Sequence, residues 1–259
     1  MTVEHSFTKD EMKAFEPAEK IGLVACVNPD GQIHLTLITS IMACRPDQLT
    51  LGQFCMGLSK RYMQMNPQVG FLIMTLDRRL WRGKARWTHK KTQGPEYEIY
   101  NDIPMFRYNA YFGINTVHYL DLVETHGEEK LPMAKIIPAA VTTKLAKGAA
   151  ATNREQPILK PFAESLFNQP DALKFIAYLG NDGFPVIIPA IQCQASDSRR
   201  IVFWSNRNLV KQIYVMDAQT GKLQATFQHH AAVTCLAYSP DGQQIVTGSK
   251  GTLRIWAVP

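Results

Sequence analysis

LVACVNPDGQIHLTLIT, residues 23–39, and FIAYLGNDGFPVIIPAIQ, residues 175–192, share one pattern, an Asp-Gly pair between two apolar runs. Asp-Gly in that setting is the strongest short-range signal of a β-hairpin, because both residues tolerate the left-handed backbone that a tight turn demands. Aligning Asp30 with Asp182 also puts Ala25 on Ala177 and Gly31 on Gly183, an offset of 152 residues (182 − 30). That is too long for a solenoid period, so two copies of one domain are expected. A third Asp-Gly turn, YSPDGQQIVTGS around Asp241, lacks the flanking pattern and belongs to something else.

Outward from the first hairpin, Thr8 and Glu11 have capping-box spacing, Met12 and Phe15 give the following helix an apolar face, and Pro17 ends it. Residues 21–27 read as a buried strand, 33–43 as a second, long strand and 49–54 as a third. LSKRYMQMN reads as a short helix capped by Ser59 and closed by Asn66 and Pro67. Residues 69–76 and 80–87 form a further hairpin. Period-two geometry in its second strand puts Trp81, Gly83, Ala85 and Trp87 on a packed face and Arg82, Lys84 and Arg86 on a wet one. Residues 96–111 are aromatic-rich and helical with a break at Pro104, and TVHYLDLVE from Thr116 returns to strand. About six strands and three short helices in the first 125 residues suit a small antiparallel barrel, a mainly β (α+β) fold. Residues 126–160, rich in Ala, Lys, Thr and Pro, read as a connector. A partial second copy follows over 161–205, and a different β segment over 206–259.

With 259 residues, 46% of them hydrophobic, the chain has enough apolar surface for one large or two modest cores. No apolar stretch approaches the roughly 20 residues of a membrane-spanning helix, the longest being broken by Pro138, Pro185 or Pro189. MTVEHSFTKDEMK carries acids and lacks the apolar centre of a secretory signal, so a cytoplasmic protein without membrane association is expected. The five cysteines, Cys26, Cys44, Cys55, Cys193 and Cys235, never form Cys-x-x-Cys and read as buried free thiols. The net charge of +6 is spread out rather than clustered, which implies weak attraction for anionic ligands rather than nucleic-acid binding. Gly-x-Gly-x-x-Gly, P-loop and His-Glu-x-x-His signatures are missing. His229 and His230, being neighbours on a strand, point to opposite faces and make a poor metal site. His118 reads as a satisfied strand residue. The aromatic residues Tyr97, Tyr100, Phe106, Tyr108, Tyr111 and Phe112 read as core or subunit interface first, and as a ligand cover second.

The opening segment, the hairpin at Asp30-Gly31, the GLSKRYMQMNP helix and the WRGKAR strand together resemble the FMN-binding split-barrel proteins related to pyridoxamine 5′-phosphate oxidase. Residues 170–204 resemble the start of a second such barrel. The resemblance implies a flavoprotein whose FMN, or a deazaflavin with a similar phosphate-bearing tail, lies between two barrels. A homodimer would supply the second barrel here, since the internal copy is incomplete. The family includes oxidases, flavin reductases, deazaflavin-dependent reductases, haem-associated proteins and noncatalytic flavin binders. An oxidoreductase with a small-molecule redox substrate or nicotinamide donor is therefore the first expectation, and a noncatalytic FMN module the second.

On residues alone, Ser59, Lys60 and Arg61 read either as an ordinary helix cap with solvated cations or as a phosphate cradle of free N–H groups, a hydroxyl and two charges. The resemblance turns that reading toward the phosphate. It also implies that Thr39, Ser40 and Gln53 meet the flavin ring, although outward polar strand positions explain each singly. Arg82 and Lys84 answer either to a cofactor's charge or to an exposed strand face. No catalytic acid or base is expected, because the ring itself exchanges the electron pair.

The last 50 residues or so resemble WD40 repeats: the end of one blade over 213–227 and three strands of the next over 233–238, 244–247 and 252–258. The Gly-His position reads His229-His230, and the Trp-Asp positions read Met216-Asp217 and Trp256-Ala257. One blade cannot close a propeller, which needs at least about four. An interaction protein using these strands is the third expectation.

Overall fold

The computed structural model describes residues 3–107, 113–131, 159–169, 172–191, 193–195, 201–202, 212–216, 223–228, 235–238, 244–249 and 252–257. The chain divides into two units, the first comprising Met1–Leu131 and Ala177–Ile187, the second Pro132–Ile176 and Ile188–Pro259.

In the first unit, α1 (Lys9–Ala14) starts at the expected capping box, with the Thr8 hydroxyl accepting from the Glu11 N–H and the Glu11 carboxylate accepting from the Thr8 N–H. β1 (Ile21–Val27), β2 (Ile33–Leu37), β3 (Ile41–Arg45) and β4 (Gln48–Gln53) follow, then α2 (Leu58–Met65). After it come β5 (Gln68–Met74), β6 (Arg79–Lys91), α3 (Pro95–Asp102), α4 (Pro104–Arg107), β7 (Thr116–Thr125) and β8 (Glu129–Lys130). The helical break at Pro104 is where the sequence places it.

The sheet order is β2-β1-β5-β6-β7-β4-β3, with β8 beside β6, and its strand pairs are antiparallel. Its two edge strands, β2 and β3, are separated by only residues 38–40. A sheet whose opposite edges are joined by so short a link is rolled up, yet β2 and β3 do not pair with each other, so the barrel is split rather than closed. This corrects the reading of residues 33–43 as one strand. The break is fixed from outside the segment: the Ile38 N–H donates to the Gly22 carbonyl at 2.7 Å, and the Ser40 hydroxyl donates to the Gly52 carbonyl at 2.9 Å.

Gly22 is needed at this seam, because a Cβ there would collide with the Ile38 carbonyl and the Ile41 side chain. Gly22→Ala is expected to destabilise the protein by about 2 kcal/mol, the usual scale for overpacking a tight interior, checked by urea denaturation.

Inside the barrel, Val24, Phe71, Ile73, Trp81, Leu49, Leu51 and Leu120 pack together. Phe7, Phe15 and Trp81 meet edge to face, with centroids 5.2 Å apart for Phe7–Phe15 and 5.0 Å for Phe15–Trp81. β1 and β5 are buried on both faces over almost their whole length. This accounts for their unbroken apolar runs, GLVACV and VGFLIM, since alternation is expected only where one face meets water.

The second hairpin is β9 (Phe175–Leu179) and β10 (Pro185–Pro189). Its turn repeats the first in detail. The Asn28 N–H donates to the Gln32 carbonyl at 2.8 Å, and the Gly180 N–H to the Phe184 carbonyl at 2.8 Å. Gly31 and Gly183 each bond back three residues at 3.0 Å and have φ of 76° and 80°. In both turns glycine takes the left-handed position.

The second unit holds α5 (Pro161–Asn168) and the short pair β11 (Gln194–Ala195) and β12 (Ile201–Val202). The buried Lys174 ammonium donates to the carbonyls of Gln169, Ile191 and Cys193 at 2.7, 3.1 and 3.0 Å, tying the region together. β13 (Gln212–Met216) pairs with β14 (Leu223–Gln228), while β15 (Cys235–Tyr238), β16 (Gln244–Ser249) and β17 (Thr252–Ala257) form a separate three-stranded antiparallel sheet. These strands follow the repeat pattern read from the sequence. His229, His230 and most of the 126–160 connector lie outside the described residues. Among the described residues no helix is long and apolar enough to cross a membrane.

Candidate functional site

α2 begins at Gly57, whose extended backbone serves as N-cap without any side-chain hydrogen bond, and ends at Asn66, beyond which Pro67 cannot continue the helix. Met63 anchors it in the barrel core. Ser59 is therefore not the cap. It lies one position inside the helix, buried, and its carbonyl accepts from the Cys26 thiol at 3.6 Å. The first backbone bond of the helix is from the Arg61 N–H to the Gly57 carbonyl. The N–H groups of Leu58, Ser59 and Lys60 precede that bond and lack a capping side chain.

Lys60 is half-buried, and no carboxylate pairs with it among the described residues. Burial lowers its ammonium pKa, against the opposing pull of the Cys55 and Cys26 thiols. Arg61, by contrast, is exposed. The Cys26 thiol is pushed up to about 12 by burial, with Lys60 acting in the opposite direction. Cys26, Cys44 and Cys193 are wholly or partly buried free thiols, but Cys55 is exposed.

His118 on β7 is fully buried. The Trp87 indole N–H donates to its Nδ1 at 3.2 Å, so the ring proton sits on Nε2 and is donated to the Gln53 Oε1 at 2.8 Å. The Gln53 amide in turn donates to Asn115 Oδ1 at 3.2 Å, and Asn115 donates to the Phe54 carbonyl. Burial, then the nearby Lys60 and Lys90 ammoniums, lower the His118 pKa to about 4. Lys90 also reaches α2, donating to Gln64 Oε1 at 3.3 Å. Sequence reasoning missed Lys90, because the strand was expected to stop at Trp87 whereas β6 runs on to Lys91.

The remaining sequence candidates fall in different places. Gln53 adjoins this cluster, but its amide is engaged by His118 and Asn115. Ser40 is buried at the barrel seam, and Thr39 beside it is half-buried. Arg82 and Lys84 sit six or more residues up β6 from Lys90, roughly 20 Å at about 3.3 Å per residue. Arg86 on that face is exposed, as the alternation suggested, but Arg82 and Lys84 are not. Arg82 is buried and pairs with Glu129 at 3.1 Å, while Lys84 pairs with Glu124 at 2.5 Å and Asp182 at 2.8 Å. Glu129 comes from β8, Glu124 is the β7 residue opposite Lys84 in the ladder and Asp182 comes from the second hairpin, so both charges are answered within the protein. Of the aromatic group, Tyr97, Tyr100 and Phe106 belong to a second core cluster, with the Tyr100 hydroxyl donating to the Ser40 carbonyl at 2.6 Å. Tyr108, Tyr111 and Phe112 lie outside the described residues. No group of three or more metal-ligating side chains occurs among the described residues.

The chain is similar to split-barrel proteins over about half its length. An FMN-binding protein from Syntrophomonas wolfei subsp. wolfei has 10% identity and a TM-score of 0.39, with 47% of this chain and 86% of that one covered. A putative pyridoxamine 5′-phosphate oxidase from Lactobacillus delbrueckii has 14% identity, TM-score 0.37 and coverage of 48% and 96%. HupZ of Group A Streptococcus has 15% identity, TM-score 0.36 and coverage of 46% and 92%. The WD domain, G-beta repeat family matches residues 221–257. No curated protein matches the chain.

Proposed function

We propose that the first unit binds a flavin through its phosphate at the start of α2, with FMN as the cofactor, and acts as a flavin-dependent oxidoreductase of the pyridoxamine 5′-phosphate oxidase-related type. The observation that carries this reading is the Lys60 ammonium, half-buried and paired with no carboxylate among the described residues, next to helix N–H groups without a capping side chain, on the helix that Lys90 reaches through Gln64. A half-buried cation with no acid paired to it among the described residues favours an anion, and a phosphate would accept from both the ammonium and the helix start. Neutral His118 suits such a place, because a third positive charge there would add repulsion. When bound, the flavin ring would take up and release an electron pair. Lys60 would hold the tail, and the Trp87–His118–Gln53 chain would keep the strand ends beneath it rigid. A deazaflavin carries the same kind of tail, and the donor is a nicotinamide or another small reductant, with a homodimer completing the ring site.

The absorption spectrum of the purified protein, with the mass of whatever is released on denaturation, tests this directly. Bound flavin is expected, bleaching with reductant and returning in air. Lys60→Met is expected to weaken FMN binding roughly 10- to 100-fold, the worth of one charge-assisted contact. A colourless protein that takes up no added FMN would overturn the proposal. The match at residues 221–257 favours a second role for the C-terminal strands in binding a protein partner. Pull-down with and without residues 206–259 tests that role.

A further inference from the structure

The two Asp-Gly hairpins have the same turn but different surroundings. The second is seated on β5 and β6. Asp182 pairs with Lys84 at 2.8 Å and its carbonyl accepts from Gln68 at 3.5 Å, Arg86 lies over the Phe184 ring at 5.5 Å, and the Pro185 backbone lies where a Cβ on Gly70 would be. Phe184 and Ile187 are buried as a result. In the first hairpin the matching positions are Asp30, Gln32, Ile33 and Leu35. Asp30 and Gln32 are exposed, Ile33 and Leu35 half-buried, and Leu37 on the same face is 62% exposed. Asp30 makes no ion pair among the described residues.

The geometry points to an interaction surface between copies of this chain: the Lys84–Gly70 seat accepts an Asp-Gly hairpin, and the first hairpin of a second copy fits it through Asp30 and the β2 backbone, with Gln32 in place of the Phe184 ring. Charge complementarity with Lys84 is the same for Asp30 as for Asp182. The glycine at position 70 accepts any β backbone laid across it, because the contact is main chain to main chain. The apolar side of β2 would then be covered on docking. The second hairpin, filling the seat from within the chain, holds this association back.

The dimer dissociation constant of the full chain, measured by sedimentation, tests the idea. Asp182→Lys turns the cis ion pair into a repulsion and is expected to tighten dimerisation at least 10-fold. Adding Asp30→Lys is expected to reverse the gain, and Gly70→Ala, which closes the seat to both hairpins, should give none. If Asp182→Lys lowers the fold content by circular dichroism, Phe184→Ala opens the seat instead and has the same expected result. A releasing variant that associates no more tightly than the parent, or one whose gain survives Asp30→Lys, would overturn the proposal.

Discussion

Glu11→Ala is expected to cost about 3 kcal/mol, because one carboxylate serves three donors at the junction of α1 and the barrel. Its Oε2 accepts from the Thr8 N–H at 2.8 Å and the Thr8 hydroxyl at 3.0 Å, and its Oε1 accepts from the Trp81 indole N–H at 2.9 Å. Trp81 is fully buried and is the largest such side chain among the described residues. Removing the carboxylate leaves that N–H without an acceptor in the core, which costs about 1–3 kcal/mol. It also dismantles the capping box, worth about 1 kcal/mol. Glu11→Gln keeps one oxygen for Trp81 and is expected to lose less than half as much. Thermal unfolding checks the pair: Glu11→Ala should fall by roughly 6–12 °C, given about 2–4 °C per kcal/mol at this size. Equal loss in the two variants would show that the Trp81 contact contributes nothing.

That contact illustrates what the sequence makes legible and what it does not. Thr8 and Glu11 announce the helix start, since a capping box is a local device written within four residues. Their second task, satisfying Trp81 some 70 positions away, has no local signature. The same division runs through the fold. The Asp-Gly turns, the end of α2 at Pro67 and the break at Pro104 depend on backbone constraints of single residues, and each is readable. The break at residues 38–40 is imposed by Gly22 and Gly52 on other strands, so the stretch looks like one strand until the barrel is rolled up. Arg82 and Lys84 alternate as an exposed charged face should, but Glu129, Glu124 and Asp182 reach them from other elements. Only the assembled sheet reveals which cations of β6 are answered, and it leaves Lys60 half-buried with no acid paired to it among the described residues.

The stability of the protein is expected to fall by about 3 kcal/mol between pH 6.5 and pH 4 through His118 alone. In the folded state the ring is held neutral with a pKa lowered to about 4, by burial first and then by Lys60 and Lys90. In the unfolded chain it titrates near the ordinary value of about 6.5. Above pH 6.5 neither state is protonated and His118 adds no slope. Below it the unfolded chain takes up a proton that the native ring refuses, so unfolding gains ground until pH 4, where both states are charged. The geometry explains the refusal. Nδ1 already accepts from the Trp87 N–H, and placing a second proton there would set two donors against each other. His118→Gln keeps an acceptor for Trp87 and a donor for Gln53 without a titratable ring, so most of the acid-dependent loss should vanish from it. His126, half-buried and shifted the same way by burial, is present in both proteins and cancels in the comparison. Urea denaturation of the two at pH 7 and pH 4.5 makes the measurement. Parallel losses would mean that the His118 ring accepts its proton without leaving Trp87, and the relay beneath Lys60 would then be far looser than its hydrogen bonds require.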